Sequence, residues 1–415
     1  MTFHSSKRIF AGILAICALA TFPALAGDLQ QQDIFIRGQE GYHTYRIPSL
    51  IVASNGTVLA FCEARKNSGS DTGDIDLVLK RSADGGKTWG KTQIVWDDGA
   101  NTCGNPCPVV DRDTGTIWLL LTHNLGEDHE RDIKSKSARG TRTVWISRSG
   151  DNGKTWSAPA DITSSTKDPS WAWYATGPGV GIQIQHGAHK GRLVIPCDHS
   201  YAATDTPEKV ISGSHIIFSD DHGKNWKLGG VARPQMNECQ VVELADNNGT
   251  LLLSMRNQHD RDLAQEKRDR KLSAKTKKSE SSVAAPSELN QRAESISHDG
   301  GATWTAPERR PQLLDPICQA SILRYDWPQK KERGKILFSN PADATRRHNL
   351  TVRLSYDDAK TWAKEKVIHQ KDAAYSCLAV LPDGQIGCLY ERGETNAYEK
   401  ITFARFPFAW LEADQ

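Results

Sequence analysis

The chain has 415 residues, with 52 basic side chains against 50 acidic ones. So even a balance gives no field to steer the protein toward nucleic acid or anionic lipid, and an anionic ligand must be caught by a local cluster. The N-terminus comes first. Lys7 and Arg8 precede an apolar run from Ile9 to Ala20, and Phe22-Pro-Ala-Leu-Ala26 follows as an A-x-A cleavage signal. This pattern predicts a secretory signal peptide over 1–26, with the mature chain starting near Gly27. The run is too short for a membrane span. A lipoprotein reading through Cys17 is weaker, because Ile16 stands where such sites need a small residue. Without Lys7 and Arg8 the chain carries 50 basic and 50 acidic side chains. The product is expected in the periplasm or the medium.

Eight cysteines remain after position 26: Cys62, Cys103, Cys107, Cys197, Cys239, Cys318, Cys377 and Cys388. An exported chain can pair them. The local candidate is Cys103-Gly-Asn-Pro-Cys107, whose middle could close a turn, and the others sit in apolar runs as buried thiols. Paired C-x-x-C or histidine spacing is absent, so neither a metal nor a cofactor is expected.

Next in the chain is a repeat. Ser82-Ala-Asp-Gly-Gly-Lys-Thr-Trp89 recurs at Ser149–Trp156, Ser219–Trp226, Ser297–Trp304 and Ser355–Trp362, at spacings of 67, 70, 78 and 58 residues. Each copy follows an apolar run that reads as a strand, such as Leu77-Val-Leu or His215-Ile-Ile-Phe218. Asp and Gly then fit a tight hairpin, where Asp bonds nearby N–H groups and Gly allows positive φ. Tryptophan begins the return strand and packs on the turn. The last copy has Ala359 in place of Gly, so that turn is expected to be strained. Five like turns cannot all lie at one active site, so these aspartates are read as turn builders. One hairpin per 60 to 70 residues implies a four-stranded unit per repeat. The expected fold is all-β, a six-bladed β-propeller of four-stranded antiparallel blades with one blade lacking the box. Residues 27–415 form one domain, and 258–291 is a polar insertion with a basic run from Lys267 to Lys278. A solvated loop or short charged helix is expected there, with a glycan-binding arm as the alternative.

The chemistry lies in residues that the boxes leave unexplained. Arg46 sits in Tyr45-Arg-Ile-Pro48, just before the strand Ser49–Ala53. Arg65 closes Phe61-Cys-Glu-Ala-Arg65, Arg256 closes an apolar strand over 250–254, and Arg346-Arg-His-Asn349 leads into the last box. Arginines at strand ends of different blades converge on one mouth.

These features resemble the sialidase (neuraminidase) family. The Arg-Ile-Pro motif, the five boxes in register, Asn237-Glu-Cys-Gln-Val-Val-Glu243, the segment Thr176–Gln183 and the tail Ala374-Tyr-Ser-Cys377 carry the resemblance, from about Gln39 to the C-terminus. It implies an exo-α-sialidase that hydrolyses terminal sialic acid from sialylated glycans with net retention. Arg46, Arg256 and Arg347 would grip the substrate carboxylate, since guanidinium forks match carboxylates. Arg346 is the rival of Arg347, and Arg65 is an additional arginine near the carboxylate and ring hydroxyls. Tyr375 would be the nucleophile, an exception to the usual carboxylate. A neutral phenol avoids repulsion by the carboxylate on the anomeric carbon. Glu238 would take its proton, with Glu243 as rival. Asp71, in the loop Ser70-Asp-Thr-Gly-Asp-Ile-Asp76, would be the acid/base, with Asp74 and Asp76 as alternatives. A trans-sialidase, an intramolecular trans-sialidase and a non-catalytic glycan-binding propeller stay open as other readings. No nucleic acid, membrane span or obligate protein partner is expected.

Overall fold

The computed structural model describes residues 27–202, 209–233, 235–259, 290–329 and 334–413, together with Met1. The expected leader and most of the 258–291 insertion lie outside the described residues. The described chain is all-β, and its helices are single turns such as Glu130–Lys134. None is long and apolar enough to cross a membrane.

The strands run in antiparallel sets. After β1 (Gln30–Ile36) come β2 (Thr44–Val52), β3 (Val58–Arg65), β4 (Ile75–Ser82) and β5 (Gln93–Trp96). The second set is β6 (Thr102–Val110), β7 (Ile117–Asn124), β8 (Thr143–Ser149) and β9 (Ala160–Asp161). In the third, β10 (Tyr174–Thr176) and β11 (Ile182–Gln183) both pair with β12 (Leu193–Ala202), followed by β13 (Val210–Ser219) and β14 (Lys227–Ala232). The fourth holds β15 (Cys239–Glu243), β16 (Leu251–Met255), β17 (Gln291–Ser297) and β18 (Glu308–Leu314). The fifth holds β19 (Ser321–Asp326), β20 (Lys335–Pro341), β21 (His348–Ser355) and the first part of β22 (Lys364–Val380). The rest of β22 pairs with β23 (Ile386–Arg392), which pairs with β24 (Lys400–Phe406), and β1 closes that set. Strand β22 has 17 residues and serves two sets, which joins them into one seven-stranded sheet. A single parallel pairing, Ile75 with Thr102, joins the first two sets into an eight-stranded sheet. Apolar runs such as Leu119-Leu-Leu121 are buried on both faces, as a continuous apolar run predicts.

The boxes are turns, as the repeat implied. Ser82 Oγ donates to Asp84 Oδ1 (2.7 Å) and accepts the Gly86 amide (2.8 Å). Asp84 accepts the Lys87 and Thr88 amides and the Thr88 hydroxyl. The other copies repeat this bonding around Asp151, Asp221, Asp299 and Asp357. Gly86 has φ +87°, and a Cβ there would lie 2.2 Å from the Phe403 ring of the neighbouring set. The turn thus clasps one set to the next. Ala359 takes the same backbone bend at φ +64°, a costly region for a residue with a Cβ. The tryptophans divide their work. Trp226 donates to the Gly223 carbonyl of its own turn (3.0 Å), whereas Trp89 packs on Phe403 at 5.1 Å. Each box joins the third and fourth strands of a set. The last set lacks one because its fourth strand is β1, so no hairpin exists to carry it.

The local candidate pair, Cys103 and Cys107, is not bridged; the eight described cysteines are buried and unpaired. Both lie in β6. The pairing with β7 slips between them, where Asn105 has φ +53°.

Candidate active site

The inner strands place their ends around a cavity of about 350 Å³. Arg46, Arg65, Asp71, Glu238, Arg256, Arg347 and Tyr375 all line it. Four of the six strand sets contribute, so only the fold brings these residues together. A larger cavity, about 520 Å³, is lined mainly by aliphatic side chains of the same inner strands and includes none of these seven residues.

Arg46 does not precede the strand as the sequence suggested. It lies within β2, at an irregular step in the pairing with β3. Ile47 beside it has φ +61°, rare for a β-branched residue. One buried acid holds this bend. Glu391 accepts from Arg46 Nε (2.9 Å) and Nη2 (3.3 Å), and from the amides of Ile47 (2.9 Å) and Tyr375 (3.1 Å). Burial opposes the charge on Arg46, but Glu391, Tyr398, Asp71 and Tyr375 together outweigh it and push that arginine well above its ordinary value. The Arg46 guanidinium also stands over the Tyr398 ring at 4.0 Å.

Tyr375 lies inside β22 and is buried. Its hydroxyl donates to Glu238 Oε1 at 2.5 Å. Arg256 Nη1 donates to Glu238 Oε2 (2.7 Å) and to the Tyr375 oxygen (3.2 Å). Burial and the Glu238 charge push the phenol well above its ordinary value, while Arg256, Arg347 and Arg46 pull the other way. The phenol therefore keeps its proton at rest, with three guanidinium groups ready to favour the phenolate. Arg347 donates to the Tyr398 hydroxyl (2.8 Å) and stands over the Tyr375 ring at 5.5 Å.

Asp71 sits on the loop between β3 and β4, with its side chain 57 % exposed. It pairs with Arg65 Nη2 (2.7 Å) and Arg46 Nη1 (3.5 Å). Burial would raise its pKa, but Arg65 and Arg46 overcome that and hold the carboxyl below the usual range. Arg65 is set by Glu63, two residues away on the same strand face, at 2.6 Å.

The rival residues go elsewhere. Glu243 lies at the far end of β15 and accepts the Gln185 and His186 amides. Asp74 and Asp76 pair with Lys66, and Asp76 also accepts from Tyr42 (2.6 Å). Arg346 is exposed and outside the cavity, whereas Arg347 lines it.

Sequence reasoning missed several members. Glu391 ends the apolar run Ile386–Tyr390, and an acid in that place is a readable signal. Glu63 and Arg65, spaced by two in a strand, are another. Arg142 carried no signal. It is buried, with its three nitrogens bonded to Thr122, Asn124 and Asn105 and its plane over Trp173 at 4.2 Å. Asp198 and Tyr398 complete the wall. One acidic group outside the cavity, Asp111, Asp113 and His222, has the ligand spacing a cation would need. The Asp111 carboxylate is already bonded to Thr114, Gln183 and His222.

A BNR repeat-like domain matches residues 56–281. A sialidase from Micromonospora viridifaciens is 33% identical over 391 residues, covering 92% of this chain and 54% of its own length. The chain belongs to the sialidase family. An exo-alpha-sialidase from Aspergillus fumigatus is 30% identical over 404 residues, covering 89% of this chain and 86% of its own. Among solved structures, a Hadza microbial sialidase superposes with a TM-score of 0.75 at 29% identity, covering 92% of this chain and 69% of that one. An intramolecular trans-sialidase from Ruminococcus gnavus has a TM-score of 0.69 at 20% identity over 92% of this chain and 98% of that one, a likeness of fold. The chain spans about half the length of the Micromonospora relative and 61% of a sialidase from Bacteroides fragilis.

Proposed function

We propose that the protein is an exported exo-α-sialidase, built as a six-bladed β-propeller and hydrolysing terminal α-linked sialic acid from glycans with retention. The six strand sets are its blades, and residues 1–26 are its leader. The observation that carries the reading is the 2.5 Å contact between Tyr375 and Glu238 beneath three guanidinium groups. A buried phenol against a carboxylate is a nucleophile with its base in place. A positive cluster in a near-neutral chain suits a substrate that carries its own carboxylate.

In the proposed cycle Arg46, Arg256 and Arg347 bind the substrate carboxylate. Asp71 protonates the glycosidic oxygen as Tyr375 attacks the anomeric carbon, and Glu238 takes the phenolic proton. The tyrosyl-sialoside then breaks when Asp71 takes a proton from water and the phenol recovers its own. Arg65 and Arg46 keep Asp71 ionised in the free protein. The substrate carboxylate offsets that pull, so Asp71 gains its proton as substrate binds. The test is fluorophore release from an aryl α-sialoside by wild type and Tyr375→Phe. Wild-type turnover that collapses in the variant supports both the activity and the nucleophile. Undiminished turnover in the variant breaks the assignment. The expected product is free sialic acid, and an anhydro-sugar or a transfer product would redirect the reading toward the trans-sialidases.

A further inference from the structure

Asp198 has no part in the cycle above, yet it lines the same cavity. It sits on β12, is 1% exposed, and accepts from Asn237 Nδ2 at 3.2 Å. Asn237 directly precedes Glu238 in the chain. The other oxygen of Asp198 is enclosed and has no hydrogen-bond partner among the described residues. The charged groups facing it are Glu238, Arg256, Lys134, Glu130 and Arg142. Every cation among them is committed elsewhere. Arg256 is paired with Glu238, Lys134 with Glu130 of its own helix, and Arg142 is held by three oxygens of neighbouring strands. Of two buried carboxyls in one wall, only Glu238 has a counter-charge at bonding distance.

A buried charge without a partner is costly, and the group neutralises instead. Two carboxyls side by side share one ionisation more readily than two. We propose that Asp198 works as a neutral carboxylic acid, a positioning residue that leaves the negative charge of this wall to Glu238 alone. Burial and then the Glu238 charge both push its pKa up, in keeping with that state. The consequence is directional. When Asp198 loses its proton at alkaline pH, a second negative charge enters the cavity that must admit the substrate carboxylate. KM then rises in wild type beyond any change that Asp71 brings to wild type and variant alike.

The inference rests on the sialidase reading, and the test separates the two. The pH profiles of KM and kcat are measured on an aryl α-sialoside for wild type and Asp198→Asn, which keeps the shape and removes the ionisation. The alkaline rise of KM, about fivefold or more in wild type, should vanish in the variant. A loss of about tenfold or more in the folded variant at neutral pH, or the same alkaline rise in both proteins, overturns the proposal. A folded wild type that cleaves no sialoside defeats the sialidase reading instead. The charge state is then read without turnover, from the infrared difference between wild type and D198N at neutral pH. The carbonyl band of a protonated carboxyl is expected, and its absence overturns the proposal. If D198N does not fold, wild type alone is titrated, and a protonated-carboxyl band must bleach on going to alkaline pH; a spectrum without that change has the same consequence.

Discussion

The hairpin boxes and the cavity use the same residue type to opposite ends. In the boxes each aspartate is satisfied within four residues by the turn it builds, as Asp84 is by Lys87 and Thr88. At the cavity two acids reach across the chain. Glu391 bonds Arg46 over 345 positions, and Glu238 meets Tyr375 over 137. Short-range satisfaction makes a structural part that can be copied five times. Long-range satisfaction makes a single place where charges from several strand sets must agree. A side chain removed from the first kind of site should cost stability, and from the second, turnover.

The largest expected effect is at the base. Glu238→Gln should lower kcat by about 10²–10⁴-fold, the usual share of a general base, with little change in thermal midpoint. Normal turnover with a lowered thermal midpoint would reverse the comparison. Asp71→Asn should bring a similar loss on natural sialosides but a smaller one on aryl sialosides, whose leaving group needs less protonation. Wild type should also show a shift with sign. Because Asp71 must carry a proton, activity falls as pH rises through its pKa. Free protein holds that pKa low, so the fall in kcat/KM should come at lower pH than the fall in kcat. Coincident falls would remove Asp71 from the acid role.

Glu391→Gln tests whether positioning counts. Hydrogen bonds to charged groups are worth about 1.5–3 kcal/mol, so KM should rise roughly ten- to a hundredfold as Arg46 loses its seat. Asp221→Ala is the opposite case. It should lower stability by about 1 kcal/mol, as losing a helix cap does, and leave kcat/KM unchanged. Its pH signature follows from a carboxyl held at about 2, where the Asn225 and Ser219 bonds outweigh burial. Its contribution is present above pH 4 and is lost as pH falls toward 2. The smallest effect is at Ala359→Gly. Relief of the backbone bend is worth about 1 kcal/mol, and loss of a buried methyl costs nearly as much, about 0.8 kcal/mol. Chemical denaturation should place this variant within about 0.5 kcal/mol of wild type.

This contrast also governs what could be read from the chain alone. The boxes were legible because their partners are close in sequence, so spacing carried the all-β reading. The arginines, Tyr375 and Glu238 were legible only through the family motifs. The bend at Arg46 and Ile47 escaped, because Glu391 creates it from the other end of the chain. Arg142 and Asp198 escaped for the same reason. Arg142 lies just before β8 and Asp198 within β12, and each takes its meaning from Asn105, Trp173 or Asn237 elsewhere in the chain. The Cys103–Cys107 candidate came from reading a closed turn where the chain makes a bulge within β6.

The pairing of β1 with β24 has a further consequence. The last strand set is finished by the first described strand, so nearly all the described strands must be made before that set can close. Until then both partners are open edges, able to pair with another chain. Trimming through residue 36 would leave β24 in that state permanently, and the protein would be expected to fail by self-association before it failed by loss of any catalytic group.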